Sequence, residues 1–65
     1  MDRTLRTFHA KLISVWDHWV VEVPEASGVH AMVLAPTDAE EAARQAIATV
    51  LGVDPASFRV VVEPA

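Results

Sequence analysis

Three histidines, His9, His18 and His30, are the residues of this 65-residue chain best able to hold a metal or change charge near neutral pH. Their spacing argues against a shared ion. His9 and His30 fall at the starts of two apolar segments that read as parallel strands. One strand between them would separate the rings by roughly 10 Å, beyond the reach of one metal. His18 lies in a short turn. The chain has no cysteine, which excludes thiolate sites and disulfide staples. No nucleophile–base pair stands out, so the expectation is a non-enzymatic protein without metal or cofactor. His9 and His30 then read as interface residues, and His18 as an exposed one. An interface holding histidines would respond to pH near 6.5.

Trp16 and Trp19 flank the same turn. Large amphipathic aromatics anchor interfaces, and the turn leaves one ring facing outward while the other caps the core or covers a sheet edge. Asp38, Glu40 and Glu41 form an acidic group, with Arg44 four residues after Glu40. The bland reading is a solvated helix face. The sharper one adds Asp38, Glu40 and Glu41 to Trp16 and Trp19 as a surface for a basic partner.

The elements that position these residues follow from periodicity. Residues 6 to 15, RTFHAKLISV, alternate, with Phe8, Ala10, Leu12 and Ser14 on one side and His9, Lys11, Ile13 and Val15 on the other. Trp16-Asp17-His18 connects to a strand from Trp19 to Val23, ended by Pro24. A loop through Ser27 and Gly28 leads to a third strand, Val29 to Ala35, stopped by Pro36. TDAE, Thr37 to Glu40, has the form of a capping box, in which Thr37 and Glu40 satisfy each other's amides. Ala39, Ala42, Ala43, Ala46, Ile47, Val50 and Leu51 recur at helical spacing, and Gly52 is a natural residue to end the helix. Val53 to Ser57 is a turn, and Phe58 to Glu63 a fourth strand with Val60 and Val62 on one side and Val61 on the other.

This β-β-β-α-β order implies an α+β domain over residues 1–65. It is a single sheet with strands in the order 3-2-1-4, the fourth parallel to the first, and one helix on one face. The alanine stripe lets that helix lie close. The other face would then carry His9, Ile13, Val15, Val20, His30, Met32, Leu34 and Val61, a set too apolar for water. The cheapest cover is another copy of the chain, so a homodimer or higher oligomer is expected. Size agrees, because a domain this small is marginal alone. Hydrophobic residues make up 52% of the sequence, which argues against disorder.

Five Lys and Arg against nine Asp and Glu give a net charge of −4 with no basic patch. That disfavours direct nucleic-acid binding and suits a basic protein partner. No apolar stretch approaches a membrane span. Arg3 and Arg6 precede an apolar segment as in a signal peptide, but Lys11 interrupts it and Asp17 closes it. A cytoplasmic location is expected.

The stretch WVVEVPEASGVHAMVLAPTDAEEAARQAIATVL resembles the amino-terminal domain of the HicB antitoxin family. The shared pattern is a strand ending in a VEVP run (Trp19 to Pro24), the loop glycine (Gly28) and a helix start at Thr37, Glu40, Glu41 and Ala42. It covers roughly residues 7 to 63. The resemblance implies a truncated ribonuclease-H-like sheet that is dimeric or higher. It also implies an antitoxin that docks on a small basic endoribonuclease of the HicA type and masks its catalytic histidine. Many members carry a carboxy-terminal DNA-binding segment; none is expected within these residues. The loop has Ala26-Ser27 where Leu-Pro is usual in the family. Ribonuclease-H chemistry would need clustered carboxylates from the first strand, the helix and the fourth strand. The first strand has no acid, Glu40 and Glu41 serve the helix start, and Glu63 sits at the end. A HicB-like oligomer acting as a scaffold or small-ligand-binding protein is the alternative expectation.

Overall fold

The structure is a computed structural model that describes residues 5–26 and 28–65. Ser27 of the expected loop and Arg3 of the rejected signal peptide lie outside the described residues. The elements run β1 (Arg6–Val15), β2 (His18–Val23), a 3₁₀ turn (Pro24–Ala26), β3 (Val29–Val33), a second 3₁₀ turn (Pro36–Asp38), α1 (Ala39–Leu51) and β4 (Phe58–Pro64). The sheet has four strands in the order β3-β2-β1-β4, as the sequence predicts. β2 is antiparallel to β1 and β3, and β4 is parallel to β1.

Alternation sorts each strand cleanly between the two faces. Phe8 and Ala10 of β1, Val21 and Val23 of β2, Val29 and Val33 of β3 and Phe58 of β4 are buried under Ala39, Ala43, Ile47 and Ala48 of α1. Three of these four helix residues are alanine, which lets the helix backbone approach the sheet. Bulk comes from Ile47 and from Phe8 and Phe58, whose rings meet edge to face at 5.4 Å.

Four local expectations are corrected. The capping box does not form. Asp38, in αR geometry, stands at the N-cap and makes no side-chain capping bond, while Thr37 lies inside the 3₁₀ turn. The cause is Pro36, whose fixed φ starts that turn and carries the chain directly into α1. β3 ends at Val33 rather than Ala35, because Val33 pairs with Trp19, one residue short of the hairpin end of β2. Val50 and Leu51 are 55% and 39% exposed, and Ala48 takes their place in the core. Gly52, at φ 67°, ends the helix as expected and donates to the Ala48 carbonyl. Arg44, expected on the solvated face, is drawn inward. Its Nη1 donates to the carbonyls of Pro55 (2.8 Å) and Phe58 (2.9 Å), and its guanidinium lies 5.6 Å from the Phe58 ring centre. The turn before β4 is thereby fastened to α1.

Candidate interaction surface

One helix covers one face of the sheet, and the register arranges the other. Ile13, Val20 and Met32 stand side by side across β1, β2 and β3. Val15 and His18 form the next pair toward the hairpin, and Leu34 lies just past the end of β3. Met32 is 65% and Leu34 78% exposed, and Ile13, Val15 and Val20 are half-buried. The next row is polar: His30, Glu22, Lys11 and Glu63 line up across all four strands. Beyond it, His9 stands beside Val61. The expected face residues thus share the side away from α1, but charges divide them into an apolar patch near the hairpin and a smaller His9–Val61 pair. Alternation within each strand predicted the face. The charged row needed the register between strands, which alternation does not give.

The histidines are held apart. His30 is level with Lys11, so His9 is offset from it by two residues along β1 rather than level with it. His9 Nδ1 is 3.2 Å from Glu25 Oε1, His18 Nδ1 is 3.0 Å from Asp17 Oδ1, and His30 Nδ1 is 3.3 Å from the Gly28 carbonyl. Among the described residues no cluster of three or more His, Cys, Asp or Glu is arranged to hold a metal. Glu25 also accepts from the His9 amide at 2.7 Å. At Pro24 the chain leaves β2 for a 3₁₀ turn, so the ladder stops short of His9 and the Glu25 carboxylate accepts its amide instead. That amide bond holds the Glu25 carboxyl below its usual pKa, against a smaller opposing cost of desolvation. The hydrogen bond from His18 does the same for Asp17.

The two tryptophans part company. Trp19 points to the helix side of the sheet and packs, half-buried, against the core. Trp16 is fully exposed at the hairpin tip with φ 49°, a left-handed conformation disfavoured for a bulky side chain. The turn is Trp16-Asp17 alone, and His18 opens β2. Asp38, Glu40 and Glu41 are exposed at the start of α1. Glu40 meets Arg44 at 3.3 Å, and Glu41 accepts from Gln45 at 2.7 Å.

A groove of about 490 Å³ that sequence reasoning did not anticipate runs between β3 and the second half of α1. Gly28, Val29 and His30 form one wall, and Ala46, Thr49 and Val50 part of the other. No sequence signal pointed to it, because Val50 falls on the apolar stripe and only the packing of α1 on the sheet leaves it 55% exposed beside the groove. Among the described residues no helix is long and apolar enough to cross a membrane. Comparison with protein-family models, curated proteins and solved structures finds no match.

Proposed function

We propose that this chain is a non-enzymatic, HicB-like interaction protein of the cytoplasm. It self-associates through the open face of its sheet and binds and masks a small basic endoribonuclease of the HicA type. The observation that carries the proposal is the apolar patch of Ile13, Val15, Val20, Met32 and Leu34 on the face that α1 leaves bare. A patch of this kind on a small domain marks a surface that protein covers. The net charge of −4 and the exposed Asp38, Glu40 and Glu41 suit a basic partner, and Trp16 offers a large ring for it to close over. Co-expression of the chain with a small basic endoribonuclease of the HicA type from the same genome is the test. The expected result is a stable complex that abolishes the ribonuclease activity of the partner. Separate elution with activity intact would overturn the antitoxin reading.

The groove beside β3 favours a second reading, a HicB-like oligomer serving as a scaffold or small-ligand protein. A small molecule retained through purification and displaced by enlarging Ala46 would support it.

A further inference from the structure

The two edges of the sheet are built differently. β4 carries Arg59, Glu63 and Pro64, residue types that discourage strand addition. β3, VHAMV, has no Lys, Arg, Asp, Glu or Pro. Its free backbone groups can be located. The β1–β2 turn has two residues, so Val15 and His18 face each other with both N–H and C=O. Counting by twos, odd-numbered residues of β1 turn their backbone groups toward β2, as the His9 amide does in reaching Glu25. Odd-numbered residues of β2 then turn toward β3, and their partners Val29, Ala31 and Val33 turn back to meet them. The N–H and C=O groups of His30 and Met32 therefore point outward at the open edge.

We propose that β3 pairs with β3 of a second copy, antiparallel about a two-fold axis at Ala31, fusing the two sheets into one. In this register His30 of each copy lies opposite Met32 of the other, and both residues donate and accept. Ala31 meets its own counterpart at the axis, at a non-hydrogen-bonded position where the Cα atoms approach to about 4.5 Å and a small side chain fits. Val29 lies opposite Val33 on the helix side. The register favours a second copy as the occupant, because about the Ala31 axis the two outward-facing residues meet each other's counterparts. Among the described residues the groove along this edge is lined by no acidic, lysine or arginine side chain, so two acidic copies meet no like charge in it. This contact uses the edge of the sheet, is distinct from packing of the open faces, and stands without it.

Because the chain has no cysteine, single cysteines report the geometry cleanly. Under mild oxidation at micromolar concentration, Ala31→Cys should form a disulfide-linked dimer at least about tenfold faster than Glu63→Cys on the other edge, the pairing raising the local thiol concentration. Adding Leu34→Asp, which disrupts the open face, should leave that rate unchanged, so failure of face packing and failure of edge pairing are read separately. Adding Met32→Pro removes an outward N–H while leaving the bonds to β2 intact. It should slow cross-linking about tenfold, the equivalent of two lost hydrogen bonds across the two-fold axis. Equal rates for Ala31→Cys and Glu63→Cys would overturn the proposal, as would a monomer whose edge takes up an unrelated extended peptide or a small molecule instead. Should the Met32→Pro chain unfold, the comparison of the two cysteines still decides.

Discussion

Arg44 offers the sharpest check on how this small domain holds together. Its guanidinium donates to two carbonyls, those of Pro55 and Phe58, and lies over the Phe58 ring. The side chain is 22% exposed, whereas that of Glu40, its ion-pair partner, is 61% exposed. A hydrogen bond from a charged donor contributes about 1.5–3 kcal/mol, and the partial exposure places each of these near or below the lower end. Stacking on Phe58 adds about 0.5–1 kcal/mol. The pair with Glu40 adds only about 0.3–0.5 kcal/mol. Arg44→Met should therefore cost about 2–3 kcal/mol, a fall in melting temperature of about 10–20 °C for a domain of this size. Arg44→Lys should recover less than half of that loss, since an ammonium cannot span both carbonyls in the same fork. Glu40→Ala should cost less than about 0.5 kcal/mol. Urea unfolding followed by circular dichroism at one fixed protein concentration measures all three. Equal losses for Arg44→Met and Glu40→Ala would show that the i,i+4 pair matters and the clamp on the turn does not.

Three further outcomes follow from the same geometry. Ile47→Ala empties a position with no solvent exposure at the centre of α1 and should cost about 2–5 kcal/mol in the same unfolding assay. Trp16→Asn should stabilise the chain by about 1 kcal/mol, because asparagine accepts the positive φ more readily and the fully exposed ring has no burial to lose, while toxin binding should weaken. Glu25, whose folded pKa is lowered by the His9 amide, contributes stability that is present above its unfolded value and lost as pH falls through the lower folded value. A carboxyl NMR titration should place its midpoint below that of Glu25 in the unfolded chain, and the His9 amide shift should follow the same curve.

Strand order, the parallel β4 and the division of faces were legible because each rests on alternation, chain order and short connections. Phe8, Val21 and Val23 could face only one way once the periods were set. What sequence could not supply depends on distance across the fold. The role of Arg44 required the turn before β4 to fold back over α1. A helical i,i+4 pairing, read along one element, pointed instead to Glu40. The capping box failed because Pro36, the residue just before it, had already begun a turn, so local chemistry at Thr37 lost to the backbone constraint before it. The charged row of His30, Glu22, Lys11 and Glu63 arises only when four strands lock into one register. The groove at β3 lies between segments far apart in the chain, Gly28 to His30 and Ala46 to Val50, and only their packing creates it.

The central claim is that protein, not water, covers the sheet face opposite α1. Sedimentation equilibrium of the unmodified 7.1 kDa chain across micromolar concentrations, beside a Met32→Glu, Leu34→Asp double variant, tests it most directly. The unmodified chain should assemble in a concentration-dependent way, and the double variant, still folded, should lose the assembly made through the sheet face and retain at most the dimer paired at β3. A folded, unmodified chain that stays monomeric throughout would contradict it.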